Sequence, residues 1–416
     1  MDVMFPRCSG LDVHQKFLIA CVMVSDSEGQ CHQERRRFAT TTNELLALVT
    51  WLSGFGVTHV VMESTGVYWK PVYNILHDHF ETWVVNAHHL AQVPGRKTDE
   101  TDAQWITKLM RFGLLQPSFI PAEWQRDLRD LTRYRTRLMQ EKSAAVNRLH
   151  KVLEDANIKL ATVVSDIQGV SARQMIEALI ADNLDAMQMA ELAKRRMRSK
   201  IPQLVEALTG HVRPHHRFVL QELLTHLDEL NARITTLCAR ITETVAPYAS
   251  LVARLDAIPG VGQHTAEIIL AEIGPAVDNW PSAGHLASWA CVCPGNHQSG
   301  GKRGSGQTRK GQKWLGPALV EAAWAASRSR DTYLAAQFHR LRARRGAKRA
   351  ALAVAHSILT IVYHLLKDPE AVFTELGGDY FLTRNKEQEK RRALRTLETL
   401  GYAVDLTPTQ TQVLAA

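Results

Sequence analysis

The sequence predicts an α/β domain at the N-terminus, a central region of long helices, and a mainly α C-terminal domain. Three observations carry this expectation. Short β-rich apolar runs alternate with helical periodicity up to about residue 120. A helical stretch with no Gly or Pro covers 123–157, and a second long helix carries a 3-4 leucine spacing. From 251 onward, Gly/Pro turns separate short helices and a basic loop.

In order, Leu11 to Val24 is a β-rich run whose one acid is Asp12. A charged turn is expected around Glu28 to Arg37, then a helix from Asn43 to Ser53. Val57 to Met62 reads as a buried strand ending at Glu63. Val67 to Phe80 reads as a helix and Thr82 to Asn86 as a strand. After the basic turn at Pro94 to Lys97, a helix is expected from Thr98 to about Phe112. Strand–helix alternation of this kind builds an α/β domain with a mixed sheet.

The 123–157 helix is studded with Arg126, Arg129, Arg133, Arg135, Arg137, Lys142, Arg148 and Lys151. Residues 158–216 are helical and mixed, with a basic cluster at Lys194, Arg195, Arg196, Arg198 and Lys200. Leu220, Leu223, Leu227, Leu230, Ile234, Leu237 and Ile241 then form a coiled-coil seam. That seam suits a core helix of a bundle or two long helices paired as an arm, within or between chains. The expected domains are therefore 1–120, 121–250 with a helical insertion at about 158–216, 251–370, and a charged tail at 371–416.

The chain has 416 residues, 45% hydrophobic and 22% charged, as in ordinary globular proteins. Its formal net charge of +8 mildly favours a polyanionic partner. The N-terminus has no apolar signal core, so a cytoplasmic, nucleoid-associated protein is expected. Ala350 to Leu366 contains His356, Ser357, Thr360 and His364 and reads as a packed helix rather than a membrane span. The six cysteines contain no C-x-x-C pair. Cys291 and Cys293 with His297 lack a fourth zinc ligand and read better as buried thiols.

Four acids stand where an α/β nuclease domain would use them: Asp12, Glu63, Asp99 and Asp102. Asp99 and Asp102, at i and i+3 near a helix start, share a face. Carboxylates at strand ends and on an adjacent helix can converge, and converged carboxylates require a cation. Magnesium takes oxygen ligands, and a pair of such ions suits phosphodiester chemistry. Each acid alone also has a structural reading, as a strand end or a complement to a helix dipole.

The stretch after Cys293 holds no acid as far as Lys313, and Lys302, Arg303, Arg309, Lys310 and Lys313 would neutralise phosphates. Ser299, next to Gly300 and Gly301, is placed as an exposed nucleophile, with His297 or metal-bound oxygen to activate it and Ser305 as its rival. The alternative is a basic loop that only binds phosphate. No ATP-binding loop pattern occurs. Upstream, Leu255 to Ala266 resembles a helix-hairpin-helix element. Gly260 and Gly262 would form its turn, Thr265 and Ala266 would begin its second helix, and it would grip a phosphate without reading sequence.

Taken together, these motifs resemble the DEDD transposases of bacterial insertion sequences, the bridge-RNA-guided recombinases, over nearly the whole chain. Gly10 to Lys16 looks like that family's first catalytic strand, and Met62 to Trp69 like its second acidic motif. Lys97 to Ala103, with Asp99 and Asp102, looks like the third. Ile258 to Gly262 and Gln298 to Arg303 resemble its second conserved domain. The resemblance implies a RuvC-like, RNase H-type N-terminal domain in which Asp12, Glu63, Asp99 and Asp102 hold Mg2+, two ions in number. It implies that Ser299 attacks donor and target DNA to form a 5′-phosphoserine link. It further implies a structured guide RNA as partner and a homodimer assembling to a tetramer, with RuvC-like and serine domains supplied by different protomers. The 158–216 segment departs from shorter members of the family. The rival to a serine recombinase is a metal-only, structure-selective nuclease of the Holliday-junction resolvase kind. A third reading is a nucleic-acid-binding protein without catalysis.

Overall fold

The computed structural model describes residues 2–25, 30–86, 90, 102–295, 298–303, 308, 311, 313–384 and 386–405, with the backbone alone at Gln298, Ser299, Arg303, Glu387, Gln388, Glu389 and Arg392. The chain divides into two compact units, Met1–Pro121 and Ala122–Ala416.

The first unit contains β1 (Arg7–Val13), β2 (Phe17–Ser25), β3 (Cys31–Ala39), α1 (Thr42–Gly54), β4 (His59–Glu63), α2 (Trp69–Leu76), β5 (Glu81–Val85) and α3 (Asp102–Arg111). The strands form one mixed sheet in the order β3-β2-β1-β4-β5. β1, β2 and β3 pair antiparallel, while β4 joins β1 and β5 joins β4 in parallel. This arrangement is consistent with an RNase H-like domain. Leu11, Val13, Val60 and Met62 face a core shared with α1 and α2. Cys8, Val61 and Val85 face the opposite core, built with Ile106, Leu109 and Met110 of α3.

One expectation is corrected here. The charged stretch around Glu28 to Arg37 is mostly strand β3, not a turn. Residues 31–37 of it are all exposed. Among the described residues β3 is an edge strand bonded only to β2, so neither side needs an apolar alternation, and charge on an edge discourages pairing with other chains. Arg37 lies 3.9 Å over the Phe17 ring, so even this polar strand is tied down through its long side chains. The β-rich run from Leu11 to Val24 is likewise two strands, joined by a tight turn at His14–Lys16.

Among the described residues, the second unit is helical apart from one small hairpin. Its helices are α4 (Glu123–Asp155), α5 (Leu160–Val163), α6 (Val170–Ala181), α7 (Ala186–Glu191), a 3-10 helix (Arg195–Lys200), α8 (Ile201–Leu208), α9 (Pro214–Val245), α10 (Ala249–Asp256), α11 (Gln263–Ile273), α12 (Ala283–Trp289), α13 (Leu315–Ala326), α14 (Tyr333–Arg345), α15 (Ala347–Lys367), α16 (Tyr380–Arg384) and α17 (Lys386–Thr399). The hairpin is β6 (Gln298–Ser299) with β7 (Lys302–Arg303). α4 and α9 run antiparallel within the one chain: Asp155 meets His216 at one end, and Arg135 reaches Cys238 toward the other. Leu220, Leu227, Leu230 and Ile241 are buried, as is Leu224 between the seam positions, whereas Leu223, Ile234 and Leu237 are only partly so.

The paired helices serve two separate cores. Leu138, Leu149 and Leu153 of α4 pack with Leu220 to Leu230 of α9 and with α5–α8, the segment inserted between them. Leu128 of α4 and Ile241 and Val245 of α9 instead enter the core of α10–α15. α15 is long and apolar enough to cross a membrane by composition, yet Val354, Ile358, Leu359 and Val362 are fully buried among other helices.

The arginines of α4 do not all face solvent. Arg135 is 1% exposed and donates to Glu267 Oε2 of α11 at 2.5 Å, with Glu267 equally buried. Arg133 grips the buried Glu272 through two bonds of 2.7 and 2.9 Å. Arg129 donates to the Ala271 and Glu272 carbonyls at the end of α11. These contacts lock α4 to α11 across more than a hundred residues of sequence. Breaking a buried pair strands a charge at a cost of about 3–5 kcal/mol, whereas an apolar pair of similar volume can be neutral. Arg135→Met is therefore expected to lower urea-unfolding stability of this unit by about 3–5 kcal/mol. Adding Glu267→Leu should restore most of that loss.

Candidate active site

The acid-bearing end of the first sheet is set by the approach of α3 to β1. Gly10 has no side chain to separate them. A Cβ placed there would lie 2.6 Å from Thr107 Oγ1, 2.7 Å from Thr107 N and 2.8 Å from the Ala103 carbonyl. The buried Thr107 hydroxyl accepts the Gly10 N–H at 2.9 Å. Its own proton has the Ala103 and Cys21 carbonyls within reach at 2.5 and 3.2 Å.

Alternation along a strand puts Cys8, Gly10 and Asp12 on one face, the face that α3 covers. By the same rule Glu63 shares the face of Val61, which packs on α3. The last β1–β4 pair is Leu11 with Met62, so Asp12 and Glu63 stand one residue further, at the C-terminal ends of neighbouring parallel strands. Asp102 opens α3, one residue before Ala103. Asp12, Glu63 and Asp102 are all half-buried, and they occupy the same side and the same end of the sheet. Asp99 lies outside the described residues.

Asp12 Oδ2 is 3.2 Å from His14 Nε2, whose ring packs against Phe17. Among the described residues, no three His, Cys, Asp or Glu side chains are gathered closely enough to hold an ion. The donor set itself is all carboxylate oxygen, which fits a hard divalent cation and not zinc. The nearby Cys8 is no rival nucleophile: burial pushes its thiol up to about 12 and leaves it protonated.

In the second unit Ser299 sits on β6, opposite Lys302 on β7. Gly300 and Gly301 join them with φ of +56° and +76°. Two successive positive φ values define the tight hairpin turn that glycines make at little cost. The loop that carries this hairpin is pinned at its base. A Cβ on Gly311 would lie 2.7 Å from Cys291 Sγ, so the chain returns beside the point it left. Trp314, just beyond, lies under the guanidinium groups of Arg133 and Arg137 at 5.6 and 5.5 Å. Lys302 and Lys313 are exposed. The side chain of Arg303 and all of His297, Ser305, Arg309 and Lys310 lie outside the described residues. Cys291 and Cys293 are half-buried free thiols.

Gly260 and Gly262 separate in role. Gly260 has φ +87°, and a Cβ on it would lie 2.2 Å from the Ala322 carbonyl and 2.6 Å from Ala326 N of α13. Its bare Cα lets α13 close on the turn. Gly262 precedes α11 with open space where a side chain would be. α11 starts at Gln263, two residues before the expected Thr265.

Comparison with known proteins bears on both units. A DEDD transposase model of the IS110 type matches residues 9–158. A second, described as transposase IS116/IS110/IS902 family, matches residues 252–340. The chain belongs to the IS110 transposase family. It is a DNA transposase or recombinase by that membership. The pilin gene-inverting protein of Moraxella bovis is 26% identical over 369 residues, 86% of this chain and 95% of that protein. Its counterpart in Moraxella lacunata matches to the same extent. The transposase for insertion sequence element IS1111A of Coxiella burnetii is 23% identical over 334 residues, 77% of this chain and 81% of the relative. The first family model ends at 158 and the second begins at 252, so α5–α8 and the whole of α9 lie in neither match.

The Gly10 seam yields a test of the acid-bearing edge. Overpacking a close contact costs about 1–3 kcal/mol and shifts the backbone. Gly10→Ala is expected to lower thermal stability and to reduce DNA rearrangement more than tenfold in a donor–target plasmid assay. Val60→Ala, a cavity on the opposite face, should cost stability of similar size with little loss of activity.

Proposed function

We propose that this transposase cleaves and rejoins DNA through a serine intermediate assisted by divalent cations. The observation that carries the reading is the shared face and end of Asp12 and Glu63 on adjacent parallel strands, with Asp102 opening the covering helix. Asp12, Glu63, Asp99 and Asp102 would hold Mg2+, two ions in number. When bound, such ions offset phosphate charge and stabilise attacking and leaving oxygens.

Ser299 is the nucleophile in this reading. Its Oγ forms a bond to the DNA phosphorus while the bond from phosphorus to the 3′ oxygen breaks. The serine proton is lost and the 3′ oxygen gains one, leaving a 5′-phosphoserine and a free 3′ hydroxyl. Attack by the 3′ hydroxyl of another strand reverses these steps and releases the serine. Bond energy is conserved, in keeping with the missing ATP-binding loop. The hairpin supports this role because its two-glycine turn fixes Ser299 beside Lys302. Gly262, Lys302, Arg303, Arg309, Lys310 and Lys313 would contact phosphates, and the α10–α11 turn would act as the helix-hairpin-helix grip.

The remaining parts follow the same reading. A structured guide RNA selects donor and target DNA, the α4–α9 pair acts as a coiled-coil arm, and dimers assemble to a tetramer in the bacterial cytoplasm, at the nucleoid. The working division is 1–120, 121–250, 251–370 and 371–416.

The test is a denaturing-gel assay of the full chain with its element-encoded RNA, Mg2+ and labelled donor and target DNA. A protein–DNA adduct is expected for wild type and for Ser305→Ala. It should vanish in Ser299→Ala and Asp12→Ala. Cut DNA without an adduct, undiminished in Ser299→Ala, would replace this reading with a metal-only nuclease.

A further inference from the structure

The corner between α14 and α15 carries a charge cluster that no part of the catalytic reading uses. Arg342, Arg344, Arg345, Lys348 and Arg349 fall within eight residues and all are exposed. The sequence holds no Asp or Glu between Asp331 and Asp368. Among the described residues, none of the five makes an ion pair, a side-chain hydrogen bond or a ring contact. Neighbouring Arg340 differs, because its guanidinium lies 5.0 Å over the Phe381 ring.

Local stability does not account for the cluster. Arg342, Arg344 and Arg345 in the last turn of α14 complement its dipole. Lys348 and Arg349 in the first turn of α15 oppose the dipole of a 21-residue helix, and no side chain caps that end. Gly346, at φ +81° with open space around it, joins the two helices with a single residue. The corner therefore brings both groups of cations together and adds like-charge repulsion. A residue pattern that works against its own helix points to a function elsewhere.

We propose that the α14–α15 corner is a docking surface for the phosphodiester backbone of a DNA duplex, the polyanion that a DNA transposase must hold. A polyanion offsets the repulsion and the dipole conflict at once. A membrane surface fits less well: among the described residues, neither α14 nor α15 exposes a large hydrophobic side chain of its own to insert. The cluster lies beyond residue 340, where the second family match ends. The proposal rests on the reading of the chain as a DNA-rearranging enzyme but not on the serine mechanism.

The test measures the salt dependence of full-chain binding to a DNA duplex and to an RNA duplex by fluorescence anisotropy. Each lost phosphate contact lowers the slope of log K against log salt by about 0.9. Replacing Arg342, Arg345, Lys348 and Arg349 together by Ala should lower the slope by about 2–4. The drop is expected on the DNA duplex, and a drop confined to the RNA duplex overturns the proposal. The substituted sites are all exposed, and a circular dichroism melt matching wild type checks that the variant is folded. Arg342→Lys, Arg345→Lys and Arg349→Lys in one chain should keep the wild-type slope. An unchanged slope on both duplexes overturns the proposal, and so does a wild type that binds neither. If the alanine variant keeps its slope while wild type still forms the protein–DNA adduct, this inference fails and the recombinase reading stands. If the slope drops but wild type forms no adduct, the docking surface stands and the serine mechanism fails.

Discussion

The contact between Thr107 and Gly10 governs the rest of the N-terminal unit. A buried hydroxyl holds the backbone of β1 where any side chain would collide with α3. That contact fixes which turn of α3 lies against which residue of β1. Asp12 lies two residues along the strand on the same face, and Asp102 precedes the turn that touches Gly10. The parallel pairing of β1 with β4 then places Glu63 alongside Asp12. A carboxylate edge needs this order of events, because the acids repel and cannot organise the fold themselves. Apolar packing on Cys8, Val61 and Met110 supplies the stability that the acids draw on.

The second unit solves a different problem with buried charge. α4 must hold two cores at once, and α11 must stay aligned with it. Arg129, Arg133 and Arg135 do this by reaching Glu267, Glu272 and the last carbonyls of α11. Such pairs contribute orientation more than stability, because desolvation offsets most of their attraction. Arg133 also covers Trp314, so one side chain connects α4, α11 and the exit of the serine loop. The loop thus hangs from a fixed base, with Cys291 beside Gly311.

Much of this was legible in the residues. The strands ending at Glu63 and near Val85 and the two long helices follow from local periodicity and spacing, whereas the grouping of the acids into three motifs comes from the family resemblance. β3 was not legible, because an edge strand with polar residues on both sides has no alternation to read. The arginines of α4 look like a phosphate-binding stripe in sequence. Their acidic partners lie more than 130 residues away on a helix whose own pattern gives no sign that Glu267 and Glu272 are buried. The requirement at Gly10 was hidden for the same reason, since the hydroxyl that excludes a side chain comes from Thr107. At the serine hairpin, the adjacent glycines do announce their turn, as two positive φ values demand.

The most direct test of the central claim, that the sheet edge and α3 form a cation-binding carboxylate site, is a Mn2+ titration followed by the electron paramagnetic resonance signal of free ion. Wild type should remove free Mn2+ from solution, with Mg2+ competing. Asp12→Asn and Glu63→Gln, each with an unchanged thermal melt in the absence of metal, should bind markedly less. Uptake of Mn2+ by both variants equal to that of wild type would contradict the account.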